Sequence, residues 1–316
     1  MRTGIAQFPT DVLCKPNKGT LMRQDIEFKT EDGTTLRGWM YMRDLPNKVP
    51  VIVMVHGFSG TITSLTQYAE AFCEAGFAVL LYDHRGFGRS AGKVRQHIDP
   101  YQQIADFRDA ITFAQMQSGV DPDRVGIWGS SYAGGHVLYI GASDRRVKCV
   151  VSQIPFVSGH ATAGRLFRPD QLSAWRKRFS AERRAIGLGA PHTVIPVFAT
   201  NGDEPCALPP PVTDDFIEVS RQEEGWLNEV TVRSLEFLTE YEPGAMARFI
   251  SPTPLLMIVA RHDRVAAPEL ALAVYNEALE PKRVLIHGGG HFGTYTMQFD
   301  ETSGAAIEWF REHLQA

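Results

Sequence analysis

The sequence predicts an α/β protein, with a mostly parallel central sheet and helices on both faces. Three observations predict it. Strand-length apolar runs alternate with helix-period stretches along most of the chain, the order that lays parallel strands side by side beneath crossover helices. Two of the runs, residues 51–55 and 77–82, carry no charge, as strands covered on both faces should. One long stretch, residues 155–251, breaks the rhythm: it is rich in Arg and Glu, holds a Pro209–Pro211 run, and spaces its apolar residues more as a helix does. It reads as a mostly helical cap over one end of the sheet. Residues 1-154 and 252-316 then form the core, and 155-251 the cap.

The elements follow in order. Residues 24–29 alternate Ile26 and Phe28 with Glu27 and Lys29, Asp32-Gly33 is a hairpin turn, and residues 35–42 return as a second strand. After the strand at 51–55, Ser64 is expected to cap a helix whose stripe is Leu65, Tyr68, Ala69, Phe72 and Cys73, with Gly76 at its end. The strand at 77–82 leads into the loop Asp83-His84-Arg85-Gly86-Phe87-Gly88-Arg89-Ser90. Asp99-Pro100 reads as an N-cap followed by proline at the first helical position, with Ile104, Phe107, Ile111 and Ala114 on one face behind it. Strands are expected at 124–128, 147–154, 254–260 and 283–286, and helices from Ser131 to about Gly141, at 268–279 and at 305–314.

Composition narrows the function classes. The chain has 316 residues, 44% of them hydrophobic, and a net charge of −4. At this length roughly 75% of the unfolded surface is buried on folding, so neither disulfide nor metal is needed. The charge balance points away from nucleic acid and from polybasic membrane binding. No apolar run approaches the ~20 residues of a membrane span, and the first residues lack the apolar core of a secretory leader. A cytoplasmic protein is expected. Cys14, Cys73, Cys149 and Cys206 are scattered without metal-ligand spacing, and Cys73 and Cys149 read as small buried hydrophobes. No metal or cofactor is expected, and a homodimer is left open.

The chemistry concentrates at strand ends. Gly129-Ser130-Ser131-Tyr132-Ala133-Gly134 lies between a strand and a helix, the setting of a nucleophile elbow. Small residues must flank so tight a turn. Gly129 is one, Ala133 stands where the general G-x-S-x-G pattern has its second glycine, and Gly134 follows. The register selects Ser131 over Ser130. The bland reading of the same motif is a serine N-cap. A serine needs a base, and the base an orienting acid. Asp263 follows the strand at 254–260, and His291 stands on the glycine-rich loop after the strand at 283–286. His287 ends that strand and is the lesser candidate. A surface Asp and a loop His are the alternatives, but three residues in the order Ser, Asp, His, each just past a strand, argue for a triad. The oxyanion donors expected are the amides of Tyr132 and Phe58, with Gly57 allowing close approach. His56, His84 and Arg85 read as loop-holding residues, and Gly86-Phe87-Gly88 is a weak phosphate-loop signal.

These motifs together resemble the α/β-hydrolases over roughly residues 20–316: His56-Gly57-Phe58, the loop from Asp83 to Ser90, the Ser131 turn, Asp263 and His291. Gly129-Ser130-Ser131-Tyr132-Ala133-Gly134 is further similar to the elbow of cocaine-esterase and X-prolyl-peptidase relatives. The chain is also similar to the single-domain group holding dienelactone-hydrolase-like enzymes and fungal polyketide transferases. That resemblance implies ester, thioester or acyl-transfer chemistry on a small-molecule acyl substrate. Hydrolysis by a serine acyl-enzyme is the leading expectation. Transfer of the acyl group to an alcohol or amine, hydrolysis of a carbon–carbon bond, and a non-catalytic receptor on the same fold are the alternatives. Phe156, Phe167, Trp175, Phe179 and Trp226 are expected either to line an acyl pocket or to pack the cap's own core. Arg165, Arg168, Arg176, Arg178, Arg183 and Arg184 read as a solvated helix face, with recognition of a carboxylate-bearing substrate as the alternative.

Overall fold

In the computed structural model, which describes residues 21–199, 204–209 and 225–315, the chain opens on β1 (Leu21–Lys29) and β2 (Thr35–Arg43), paired antiparallel from Leu21↔Arg43 to Lys29↔Thr35. Then come β3 (Val49–Val55), α1 (Thr66–Glu74), β4 (Ala78–Tyr82), α2 (Pro100–Gln115), β5 (Val120–Ser130), α3 (Tyr132–Ser143) and β6 (Val147–Gln153). The cap carries α4 (Gly159–Leu166), α5 (Pro169–Gly187), the two-residue strands β7 (Val194–Ile195) and β8 (Val230–Thr231), and α6 (Val232–Glu240). The chain closes with β9 (Leu255–Ala260), α7 (Pro268–Glu277), β10 (Lys282–His287) and α8 (Phe299–Leu314).

The main sheet has eight strands in the order β1-β2-β4-β3-β5-β6-β9-β10. Pairing is parallel from β4 through β10 and antiparallel at β2–β4 and β1–β2. This is the α/β-hydrolase arrangement expected. Alternation along β3 assigns the two cores. Val51, Val53 and Val55 face Ile104 and Phe107 of α2 and Val137 and Leu138 of α3. Ile52 and Met54 face Tyr68 and Phe72 of α1 and Trp309 and Phe310 of α8. Phe310 is fully buried with its ring 5.7 Å from Phe72 and 5.9 Å from Phe77. Burial of such a side chain contributes about 2–3 kcal/mol. Cys73, Cys149 and Cys206 are free thiols, all buried; Cys14 lies outside the described residues. No helix among them is long and apolar enough to cross a membrane.

Two local readings change. Ser64 does not cap α1: a 3-10 turn over Ile62–Leu65 precedes the helix, and the Ser64 hydroxyl donates instead to the Thr61 carbonyl at 2.9 Å. The cap holds one strand pair, β7 with β8, too short to leave an alternating pattern. Asp99 does cap α2, accepting from the amides of Tyr101 and Gln102 at 3.0 and 3.2 Å, with Pro100 in the first turn. Other ends shift both ways: the strands expected at 77–82, 147–154 and 254–260 each lose one residue and the helix expected at 268–279 ends at Glu277, while other elements extend. Thus β5 begins at Val120 rather than 124, and α8 at Phe299 rather than 305.

Candidate active site

The turn after β5 is strained. Ser131 sits at φ 59°, ψ −119°, a region that L-residues enter only when the surroundings hold them there. Two hydrogen bonds do so: the Ser131 amide donates to Gln153 O and its carbonyl accepts from the Phe156 amide, both at 2.9 Å. The turn also requires glycine at 129. A Cβ there would stand 2.2 Å from the Ala133 carbonyl oxygen, inside any allowed contact. A Cβ on Gly134 would stand 2.9 Å from Gln153 O and from Pro155 Cα. The strain points the Ser131 hydroxyl out of the sheet, while Ser130 turns inward, fully buried, its Oγ 2.6 Å from the Tyr295 hydroxyl. The two neighbouring serines are thereby separated in role.

Asp263 and His291 come from the loops that follow β9 and β10. These strands are parallel neighbours, and their loops are laced together: the Arg261 amide donates to His287 O and the His262 amide to Gly289 O. Asp263 Oδ1 accepts from the amides of Val265 and Ala266 at 2.8 and 2.7 Å, which leaves Oδ2 free to accept from His291 Nδ1–H at 2.7 Å. With the proton on Nδ1, His291 Nε2 is an acceptor, and the Ser131 hydroxyl stands 3.0 Å from it. Asp263 and His291 are buried and Ser131 is half-buried. His287 is committed elsewhere, accepting from the Gly289 amide at Nδ1 and facing Thr294 Oγ1 with Nε2. The structure thus brings together the three residues chosen from the sequence and sets aside both competitors.

The loop after β3 approaches the same serine. A Cβ on Gly57 would lie 3.0 Å from Ser131 Cβ and 3.1 Å from Ser130 O. His56 Nε2 accepts from the His84 amide at 3.1 Å, so its proton sits on Nδ1, which donates to Gly57 O at 2.9 Å. A trans peptide points its C=O and N–H in opposite directions. Holding the Gly57 carbonyl against His56 therefore turns the Phe58 N–H to the other side of the loop. The rings of Phe58 and Tyr132 meet edge to face at 5.5 Å, and both residues border the cavity above Ser131.

Behind this loop lies a group of buried imidazoles. His56 meets His84 at 4.7 Å and His84 meets His136 at 5.7 Å, all edge to face. Burial lowers all three below the usual histidine range, His136 to about 3. His136 is held between the Tyr241 hydroxyl and Gln103 Oε1, both at 2.9 Å. Arg85 fastens the next loop, with Nε and one terminal nitrogen 2.6 and 2.5 Å from the Asp106 carboxylate and its other nitrogen 2.8 Å from Asp32. His56, His84 and Arg85 are loop-holding residues, as expected.

The cavity above Ser131 is small and apolar. Besides Phe58, Tyr132 and His291, its walls are Phe156, Thr162, Leu166, Leu208, Leu238, Val265 and Phe292. Of the five cap aromatics singled out, only Phe156 reaches it. Within the cap Trp175 stacks on Phe179 and meets Phe167 edge to face, and Trp226 packs against the core. The aliphatic walls were missed because α4, α6 and the 204–209 stretch converge only in three dimensions. Chemically, the arrangement holds an aligned proton acceptor for a hydroxyl beside an apolar, partly closed chamber.

The chain is similar to known proteins over most of its length. The thiohydrolase aneE of Aspergillus aculeatus is 31% identical over 272 residues, covering 82% of this chain and 83% of that protein. The quorum-quenching protein AidA of Acinetobacter baumannii is 31% identical over 275 residues, covering 86% and 88%. Among solved structures, the α/β hydrolase GrgF of Penicillium sp. sh18 superposes with a TM-score of 0.83 at 25% identity, covering 94% of this chain and all of that one. The family model described as X-Pro dipeptidyl-peptidase (S15 family) matches residues 32–293, a span that runs from the first hairpin through the serine turn to both loops behind it. On that match the chain belongs to the X-Pro dipeptidyl-peptidase (S15) family of α/β-hydrolase proteins.

Proposed function

We propose that the protein is a serine hydrolase that cleaves an ester or thioester through an acyl-enzyme on Ser131. One observation carries the reading: the continuous hydrogen-bonded series Ser131–His291–Asp263 opens onto an apolar cavity. In this mechanism Ser131 Oγ attacks the carbonyl carbon as His291 Nε2 takes its proton. Asp263 keeps the imidazole in the Nδ1–H tautomer and stabilises the imidazolium that forms. The amides of Phe58 and Tyr132 hold the oxyanion. His291 then protonates the leaving oxygen or sulfur, and water, activated by the same imidazole, releases the acid.

Family membership does not by itself make the substrate a dipeptide. A dipeptidyl substrate presents an N-terminal ammonium, which an apolar site holds only beside a counter-charge. Among the described residues around Ser131, the cavity walls offer no carboxylate. An uncharged acyl chain suits them better, in keeping with the thiohydrolase named above.

Acyl transfer is the second reading, favoured by a further cavity that shares Leu166 with the first. An alcohol or amine held there would compete with water for the acyl-enzyme. Product analysis with competing nucleophiles separates the two, because exclusive free acid counts against transfer. The deciding test of the common mechanism is intact mass after fluorophosphonate treatment. One adduct is expected on the wild type and none on Ser131→Ala, with turnover lost by about 10³-fold or more. Wild-type turnover in Ser131→Ala would overturn the mechanism.

A further inference from the structure

The second cavity is the larger of the two and is lined wholly by cap residues. One wall is a single face of α5: Gln171, Ala174, Trp175 and Arg178 recur at the spacing of successive helical turns. Opposite stand Glu204, Cys206 and Pro209. Leu166 borders both cavities, and Leu208 of the first is next in the chain to Pro209 of the second. A substrate whose carbonyl lies at Ser131 and whose remainder passes Leu166 therefore enters a chamber of different character.

Arg178 is the feature of that chamber most in need of a role. Of the six arginines between Arg165 and Arg184, Arg165 pairs with Glu269, Arg183 with Glu236 at 2.6 Å, and Arg168 with Asp170 at 3.1 Å. Arg176 and Arg184 are exposed. Arg178 is half-buried, its guanidinium over the Trp175 ring at 5.1 Å, and among the described residues no carboxylate pairs with it. A guanidinium placed over an indole without a carboxylate partner keeps N–H donors for an external acceptor. The planar fork suits a carboxylate or a phosphate oxygen pair.

Resting on the hydrolase reading, we infer that the cap chamber takes an anionic group of the acyl substrate, a carboxylate or phosphate monoester recognised by Arg178 on its Trp175 platform. The anion comes either from the far end of the acyl chain or from the group carrying the thioester. The chemistry of recognition is the same in both cases, and the substrates of the test tell them apart.

The experiment compares kcat/KM within two pairs of thioesters. In the first pair, adipoyl N-acetylcysteamine is set against its terminal amide, so that only the acyl end differs in charge. In the second, butyryl phosphopantetheine is set against butyryl pantetheine, so that only the carrier does. The wild type is expected to prefer the anionic member of one pair by roughly tenfold or more, and the pair concerned identifies the source. Arg178→Gln is expected to bring that ratio near unity, and Arg178→Lys to restore part of it. Arg184→Gln removes the same charge from an exposed position and should keep the wild-type ratio. Because the ratio is taken within each variant, a loss of folded protein cancels. No preference in either pair, or a preference that survives Arg178→Gln, overturns the inference. If no thioester is turned over, the hydrolase reading fails separately. The same ratios, read as Kd by calorimetry on Ser131→Ala, then decide the anion site alone.

Discussion

Gly57 is where a single methyl group should cost the most activity for the least stability. Its missing Cβ is what lets the loop lie against Ser131 and Ser130. At 3.0 Å the added carbon must push the loop back by a few tenths of an ångström, and the Phe58 amide moves with it. Gly57→Ala is expected to lower kcat roughly ten- to hundredfold while leaving the thermal midpoint within a few degrees. Steady-state kinetics beside a melting curve checks this, and an unchanged kcat would remove Phe58 from the oxyanion site. At this scale the sequence was informative wherever chemistry follows chain order. Ser131, Asp263 and His291 stand just past strand ends, and strand ends can be read from apolar runs. His136 could not be read that way. It is a lone histidine on α3, and its partners Gln103 and Tyr241 are distant in the chain.

At the scale of elements, the loop after β4 depends on the ion pairs of Arg85. The Asp106 side chain is 0% exposed and Arg85 only 18%, so removing the guanidinium strands a buried carboxylate. Arg85→Ala is expected to cost about 3–5 kcal/mol, read as a lower urea midpoint at unchanged slope. Replacing both partners together, as Arg85→Met with Asp106→Leu, should recover much of that loss, because no charge is then left unpaired. If the double variant were as unstable as Arg85→Ala, the pairing account would fail. The holding role of Arg85 was legible from its loop, but its partner was not. Asp106 sits beside Phe107 on the inward side of α2, where helical periodicity predicts only apolar residues. Ser64 shows the reverse failure. The residue type was right for a cap, yet an intervening 3-10 turn supplied the hydroxyl with a nearer acceptor.

For the molecule as a whole, buried histidines make stability depend on pH. His56, His84 and His136 are buried and held below the usual histidine value near 6.5, and His97 falls to about 4, all chiefly through burial. In the unfolded chain each would titrate near 6.5, so below that pH the unfolded state binds more protons than the folded one. Stability is therefore flat above about pH 7 and falls on acidification, by about 1.4 kcal/mol per pH unit for each such histidine, until the folded-state values are reached. Melting curves from pH 7.5 to 4.5 should show the decline. His136→Gln should lose less on acidification than the wild type, whatever its stability at pH 7.5. An equal slope in the two proteins would contradict the assignment. The parallel sheet was legible because buried strands are uncharged and glycines separate them from helices. The cap was legible only as a break in that rhythm, since its helices pack by contacts remote in sequence.

The cap leaves the sheet after β6 and returns at β9, and those two strands are direct neighbours, paired from Val150↔Leu255 to Gln153↔Ile258. Whatever runs between them, the seam is closed by the same backbone hydrogen bonds. Each doubling of an intervening loop costs only about 0.6 kcal/mol in closure entropy. Selection can therefore lengthen, shorten or exchange the segment between these strands while Ser131, Asp263 and His291 keep their places below. A lineage built on such a seam inherits its chemistry and replaces its appetite. Relatives that share these catalytic loops are then expected to diverge most in what they accept, and grafting a cap between them is the natural route to a new specificity.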